Sequence, residues 1–195
     1  MLIVEDGVIL EEYDKFIKVE GVLPPKITEI TGITDKLLRD EGVDEEIIAH
    51  DLKERLTENT LMIAHNTQFD LSFVYHLLKR HYPDAYDIIE KLVWLDTLTI
   101  LKDRKDYPHK LIDAVEHFGL KEVNFHRAID DTKALYEVTK ALKKERDDLT
   151  EYINIFGYNP KYPFRNDEKF PFIEYKSQPY HNCGKLGYDK ILPRI

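Results

Sequence analysis

The sequence has little cysteine, no long apolar run and no excess of basic residues. Its single cysteine, Cys183, excludes an internal disulfide and argues against a zinc site built from cysteines. No run of eighteen apolar residues occurs, so the sequence predicts no membrane span. The first residues carry neither a basic flank nor a long apolar stretch, so we expect no secretory signal and a cytoplasmic location.

The charge balance is acidic, with a formal net charge of −9. This argues against broad, sequence-independent wrapping of nucleic acid, which depends on many Lys and Arg contacts to phosphate. It does not exclude an enzyme that holds a few nucleotides, because carboxylates around a divalent cation make such a site acidic.

A length of 195 residues suits one domain with a tail. After Asp148 the composition changes, and we place a first domain at residues 1–149 and an extension at 150–195. The extension interleaves prolines with many aromatic residues, among them Tyr152, Phe156, Tyr158, Tyr162, Phe164, Phe170, Phe172, Tyr175 and Tyr180. It lacks a helical or strand period. We expect these rings to pack over the domain, in preference to stacking on single-stranded bases.

The first third of the sequence predicts a hairpin and short helices. Two apolar segments, Leu2 to Val4 and Val8 to Val19, are joined at Asp6-Gly7, which is a strong hairpin signal. A short helical turn over residues 27–34 should stop at Gly32, and Thr34 can cap the next turn. From Asp44 an amphipathic helix follows, with the apolar residues Ile47, Ile48, Leu52 and Leu56 on one face.

The middle of the sequence predicts a parallel strand-helix-strand unit. Residues 61–64 and 92–95 are short apolar runs, which we interpret as strands, the first buried on both faces. Between them a helix from Phe69 to Tyr82 should turn its apolar residues Phe73, Leu77 and Leu78 inward and end at Pro83. Helices over 110–118 and from Ala128 to about Leu149 follow. The element order indicates an α/β fold with a mixed sheet flanked by helices.

Asp70 is the first candidate site residue, because it follows a predicted strand at the edge of the sheet where α/β folds bind ligands. Its position suits a metal ligand, although a carboxylate in a first helical turn also favours the helix dipole. Asn66 can contribute to the site, or its side chain can hydrogen-bond to the backbone of its own loop. Phe69 is interpreted as a core residue.

A second group combines His126 and Asp131, which lie five residues apart where a loop becomes a helix. An imidazole that accepts a proton and a carboxylate that binds metal can then face one cleft. Each alone has an ordinary structural explanation. Arg127 can steer phosphate or be a surface charge, and the second interpretation is preferred. Asp96-Thr97 is interpreted as a helix cap.

These segments together resemble the DEDDh-type 3′-to-5′ exonucleases, the DnaQ-like family of the proofreading subunit of bacterial DNA polymerase III. The family's second motif, Asn-x-x-x-Phe-Asp, corresponds to Asn66 through Asp70. Its third motif, His-x-Ala-x-x-Asp, corresponds to His126, Ala128 and Asp131. The resemblance covers about residues 1 to 145.

The resemblance implies a ribonuclease H-like fold and hydrolysis of terminal phosphodiesters with two metal ions, Mg²⁺ or Mn²⁺. It implies that Asp70 and Asp131 bind metal and that His126 is the general base for the attacking water. A weaker implication gives Asn66, Phe69 and Arg127 a role in binding substrate.

The family's first motif, Asp-x-Glu on the central strand of the sheet, is absent from this sequence. We therefore expect a sheet without its first strand and a metal site with two of four carboxylates. Glu11, Glu12 and Asp14 are poor substitutes, because acids on an edge strand usually face solvent. The expected explanation is a chain that starts late or is a fragment; a strand supplied by a second polypeptide is the alternative.

Two hypotheses of function follow. The first is an exonuclease acting on the 3′ ends of single-stranded DNA or RNA, with a polymerase or replication protein as a candidate partner. The second is a non-catalytic module of the same fold that binds nucleic-acid ends or another protein. The sequence leaves open the choice between DNA and RNA, the biological role and the oligomeric state.

Overall fold

The computed structural model describes residues 1–58, 60–120, 127–162, 164 and 169–178. Within these ranges the chain forms eight helices and six strands. The helices are α1 (Pro25–Thr31), α2 (Asp35–Glu41), α3 (Glu45–Arg55), α4 (Thr67–His81), α5 (Ala85–Glu90), α6 (Thr97–Arg104), α7 (Leu111–His117) and α8 (Ala128–Glu145). The strands are β1 (Leu2–Glu5), β2 (Val8–Glu12), β3 (Leu61–Ala64), β4 (Val93–Asp96), β5 (Ile155–Tyr158) and β6 (Glu174–Ser177).

The N-terminal hairpin pairs β1 with β2 in antiparallel fashion, as predicted. Asp6 and Gly7 both have positive φ, which a two-residue hairpin turn of type I′ requires. The second strand is shorter than predicted and ends at Glu12. The following segment turns instead toward the start of α3, where the backbone of Val43 hydrogen-bonds to the carbonyl of Phe16 and the amide of Lys18. Those bonds satisfy the backbone groups that a longer β2 would have used.

The short helices follow their local signals. Gly32 ends α1 in the left-handed conformation, with φ of 71°, and its N–H donates to Thr28 O. The hydroxyl of Thr34 accepts from Leu37 N at 3.1 Å and caps α2. Both predictions are confirmed.

The parallel unit of β3, α4 and β4 is confirmed, with a register that pairs Leu61 with Val93 and Ala64 with Asp96. The prediction that β3 is buried on both faces is wrong, since Leu61 is 46% exposed. Among the described strands β3 pairs with β4 alone, and no described strand joins it to the hairpin.

Helix α4 turns a different face inward than predicted. Leu71, Leu77 and Leu78 are buried, but Phe69 and Phe73 are 59% and 65% exposed, so the interpretation of these two rings as core is wrong. The two phenylalanines are four residues apart, which places them together on the solvent side with ring centroids 4.6 Å apart.

The core lies on both sides of β4. Consecutive strand residues point to opposite faces, so Trp94 and Leu95 enter different apolar clusters. The same alternation divides Ile155 and Phe156 of β5, which lies beside β4. The described strands form three two-stranded sheets, β1 with β2, β3 with β4 and β5 with β6, and the packing of helices against β4 and β5 is that expected for the α/β class.

The C-terminal extension packs against this core. Tyr152, Phe156 and Phe170 are buried, which confirms the prediction that these rings pack on the domain. The extension also contains β5 and β6, which pair in parallel and were not predicted. In the part of the chain described, no helix is long and apolar enough to cross a membrane.

Candidate active site

Asp70 lies at the carboxyl edge of the parallel strands, as the fourth residue of α4. Asn66 precedes the helix in the left-handed conformation, with φ of 75°, and its carbonyl accepts from Phe69 N. The carboxylate thus lies in the first helical turn, where free N–H groups and the helix dipole favour negative charge.

The buried carboxylate of Asp96 joins the turn before α4 to the start of α6. Its Oδ1 accepts from Asn66 N at 2.8 Å, from Thr67 N at 3.1 Å and from Leu98 N at 3.2 Å. Its Oδ2 accepts from the amide and hydroxyl of Thr99. The predicted helix-capping role of Asp96 is confirmed, and the same side chain also holds the turn that leads to Asp70.

The Asp70 carboxyl is partly buried, and this burial raises its pKa to about 6. The backbone N–H of Asp70 opposes the rise, and the nearby charge of Asp96 adds to it. The residue as a whole is nevertheless exposed at the protein surface. Among the described side chains none donates a hydrogen bond to this carboxylate, so a cation would be favoured beside it.

The second motif is described only from Arg127 onward, and His126 lies outside the described residues. Asp131 is half-buried and is the fourth residue of α8, the same helical position that Asp70 occupies in α4. The structure therefore places both predicted carboxylates in first helical turns. The predicted role of His126 as a base stays a prediction.

Three weaker predicted positions have distinct surroundings. Arg127 is exposed, and its Nη2 donates to Asp14 Oδ2 at 2.8 Å, which gives it a structural partner on the hairpin. Asn66 contributes its backbone amide to Asp96, and its side chain makes no capping bond. Phe69 is exposed beside Asp70, where its ring is available to contact a ligand.

The hairpin acids bind cationic side chains. Glu11 pairs with Arg55, and Glu12 pairs with Lys133. With the pair between Asp14 and Arg127, these contacts attach the hairpin to α3 and α8. They support the prediction that these acids are poor substitutes for the absent first motif.

The sequence interpretation missed two parts of the site. The first is His65, whose Nε2 lies 2.8 Å from His109 O and whose Nδ1 lies 3.1 Å from Thr97 Oγ1. Burial lowers the pKa of His65, which favours a neutral ring. The second is Thr99, a buried residue with no sequence signal beyond its place in α6. Because β3 and β4 pair Ala64 with Asp96, His65 and Thr99, which follow these residues, both lie near the turn that opens α4.

A family model for exonucleases, RNase T, matches residues 2–139, which is more than half of the chain. The chain belongs to the RNase T exonuclease family. This confirms the resemblance inferred from the two motifs and their order.

Relatives of this RNase T domain include a DNA polymerase and an exonuclease, both much longer than this chain. The PolC-type DNA polymerase III of Clostridium perfringens is 28% identical over 169 residues, which is 85% of this chain and 11% of the relative. The 3′-5′ exonuclease DinG of Staphylococcus aureus is 25% identical over 199 residues, which is 90% of this chain and 21% of the relative. The chain thus spans about a tenth and about a fifth of their lengths.

A solved structure confirms the fold of the RNase T domain. Escherichia coli exonuclease I in complex with a dA16 oligonucleotide superposes with a TM-score of 0.60 at 20% identity, over 68% of this chain and 32% of that chain. At this identity the likeness shows a shared ribonuclease H-like fold.

The RNase T exonucleases depend on a divalent metal. The described donors fit a hard cation in kind, because Asp70 and Asp131 are carboxylates and Asp70 has no partner charge among the described side chains. Within the described ranges no group of three potential ligands gathers. Two carboxylates would leave most of the coordination shell to water.

Proposed function

We propose that this chain is the nuclease domain of a 3′-to-5′ exonuclease that hydrolyses terminal phosphodiesters of single-stranded nucleic acid. One observation carries the proposal most directly. The solvent-exposed Asp70 carboxylate lies at the carboxyl edge of the parallel strands of an exonuclease fold, with no cation beside it among the described side chains. The name of the DinG relative supports the 3′-to-5′ direction, and the exonuclease I complex supports a single-stranded substrate.

The proposed chemistry divides between the chain and two bound Mg²⁺ or Mn²⁺ ions. When bound, these ions would lower the pKa of water and stabilise the charge that develops on phosphate. Asp70 and Asp131 would hold them, and His126 would take the proton from the attacking water. Asp96 would keep the α4 turn, and therefore Asp70, in place.

We propose that residues 1–149 form the nuclease domain and that residues 150–195 form an extension upon it. The family match ends at residue 139, which supports a boundary in this region. The PolC-type relative supports a polymerase or replication protein as partner.

A non-catalytic role in binding nucleic-acid ends or another protein is the second candidate. It is favoured by the two-carboxylate donor set and by the ion pairs that occupy Glu11 and Glu12. Such a module would bind a single-stranded end without consuming it.

The two candidates are distinguished by a nuclease assay on this protein. We expect Mn²⁺-dependent release of mononucleotides from a 3′-labelled single-stranded oligonucleotide. Because Asp131 is proposed to bind metal, Asp131→Ala should lower the rate at least about 100-fold. Asp130→Ala, which removes the adjacent acid in the same helical turn, is the matched control and should stay active.

Binding of the oligonucleotide without any cleavage would overturn the exonuclease proposal and support the second candidate. Release of 5′-terminal nucleotides first would overturn the proposed direction.

A further inference from the structure

We propose that the C-terminal strands β5 and β6 position the Asp70 carboxylate through two hydrogen-bonded connections, one by way of Thr99 and Asp96 and one by way of Gln68. Tyr175 and Gln178 are then positioning residues of the active site, although they lie far beyond the family match at residues 2–139. The link between these strands and the turn that carries Asp70 is inferred from geometry alone. Its effect on catalysis rests on the proposed function.

The first connection runs through Thr99. Its hydroxyl donates to Asp96 Oδ2 at 2.5 Å and accepts from Gly157 N, on β5, at 2.8 Å. The carbonyl of Thr99 accepts from Gln178 Nε2 at 2.9 Å. Thr99, Gln178 and Asp96 are all buried, so these bonds are shielded from water.

The same connection continues from Asp96 to the turn that opens α4. Asp96 Oδ1 receives the amides of Asn66 and Thr67, and Thr67 Oγ1 donates to Leu95 O at 2.9 Å. Asp70 follows Thr67 within one helical turn. A shift of the Asp96 carboxylate therefore shifts the backbone that carries Asp70.

A second connection runs from β6 to the same turn. Tyr175 OH donates to Gln68 Oε1 at 2.8 Å and accepts from Phe170 N at 3.1 Å. The other end of the Gln68 carboxamide donates to Ser72 Oγ at 3.3 Å. Gln68 and Ser72 lie on either side of Asp70 in the sequence, so the bond from Tyr175 reaches the helical turn of Asp70 through Gln68.

Close packing keeps the extension in this position. A Cβ at Gly157 would lie 2.0 Å from Oε1 of the buried Gln178, so a side chain there would require the Gln178 carboxamide to move. The Phe156 and Tyr175 rings also meet edge to face, 6.2 Å apart. The two strands are thereby held against each other and against α6.

Thr99→Val is the decisive variant, since valine keeps the shape and removes both hydroxyl bonds. We expect hydrogen exchange of the Asn66 and Thr67 amides to accelerate about tenfold, because Asp96, which accepts from both amides, is held less firmly. A tenfold change corresponds to about 1.4 kcal/mol of lost protection. In the active protein, kcat should fall at least about tenfold and the Mn²⁺ requirement should rise, while KM for the oligonucleotide stays within about threefold. Thr99→Ser keeps the hydroxyl, so its amide exchange, kcat and Mn²⁺ requirement should resemble those of the unaltered protein.

Tyr175→Phe tests the second connection and should accelerate exchange in the first turn of α4 by a smaller factor. Tyr152→Phe is its matched control. This variant also removes one tyrosine hydroxyl. That hydroxyl is buried, donates to Asp103 Oδ2 and takes part in neither connection. Tyr152→Phe should leave Asn66 exchange and the Mn²⁺ requirement unchanged.

Unchanged Asn66 and Thr67 exchange in folded Thr99→Val and Tyr175→Phe would overturn the coupling. If Thr99→Val does not fold, Tyr175→Phe alone decides. Amide exchange needs no enzymatic activity. If the protein is inactive but the variants still accelerate exchange at Asn66 and Thr67, the proposed function is rejected and this inference stands.

Discussion

The parallel half of the domain and the N-terminal hairpin are held in different ways. Strand β4 is buried between two apolar clusters, whereas Val8 and Leu10 of β2 are about 60% exposed. The hairpin is attached by surface ion pairs and by one small cluster that includes Tyr13. The comparison indicates that rigidity is concentrated where Asp70 and Asp96 lie, and that the hairpin can open at lower free energy.

The largest expected difference between the halves is in apolar burial. Trp94→Ala should lower the free energy of unfolding by about 3–5 kcal/mol, because it empties a fully buried site beside β3. Leu10→Ala, the hairpin counterpart, should change it by no more than about 0.5 kcal/mol. Urea unfolding of both variants measures the contrast, and equal losses would contradict it.

A matched pair of Asp→Asn changes tests polar burial. Asp96→Asn should cost about 2 kcal/mol, because the amide nitrogen cannot accept the bonds that the buried carboxylate receives. Asp14→Asn, on the hairpin side, affects a surface pair with Arg127 and should cost less than about 1 kcal/mol. Thermal unfolding of both proteins gives the comparison, which fails if the Asp14 variant is the less stable one.

The attachment of the hairpin should depend on salt. Arg55 donates to both carboxylate oxygens of Glu11, and Arg55→Met should lower stability by about 0.5–1 kcal/mol at low salt. Raising the salt from about 0.1 M to about 1 M should reduce this difference, since screening weakens exposed pairs. The Trp94→Ala loss should persist under the same change. A salt-independent Arg55 effect would point to packing on Tyr13 as its cause.

The smallest expected effect lies between α3 and α4. Hydrogen bonds from Arg80 and then His81 lower the pKa of Glu45 to about 2. Because the folded-state pKa is the lower one, this stabilisation is complete above the unfolded value near 4.5 and is lost as the pH falls toward 2. Glu45→Gln should therefore cost less than about 1 kcal/mol at pH 6 and almost nothing near pH 2.

Urea midpoints across this pH range test the Glu45 prediction, with Glu46→Gln, an exposed neighbour, as control. A Glu45→Gln loss that is constant across the range would show that charge is not its cause.

Local signals were predicted well, because they depend on backbone conformation within a few residues. Asp6-Gly7 forms the hairpin turn, Gly32 ends α1, and Thr34 caps α2. The Asn66 to Asp70 motif was also found in the place expected for a ligand. Its position follows from one strand and the helix after it.

Predictions that depend on distant partners were less successful. The apolar phenylalanines of α4 were placed in the core, yet the buried face is made by Leu71 and Leu78, which contact β4 and the extension. The periodicity of one helix cannot say which of two apolar faces a neighbour will cover. Strands β5 and β6 were missed for the same reason, since their pairing joins segments 19 residues apart.

The sequence by itself determined the family and the turns and singled out two candidate carboxylates, because each is encoded in a short stretch of residue types. Only the tertiary structure brought Asp96, Thr99 and Tyr175 to the turn that carries Asp70. The physical reason is that a buried carboxylate takes whichever donors the fold places around it. The donors to Asp96 come from the turn that opens α4 and from α6, and Thr99 accepts in turn from Gly157 and Gln178, 58 and 79 residues farther along the chain.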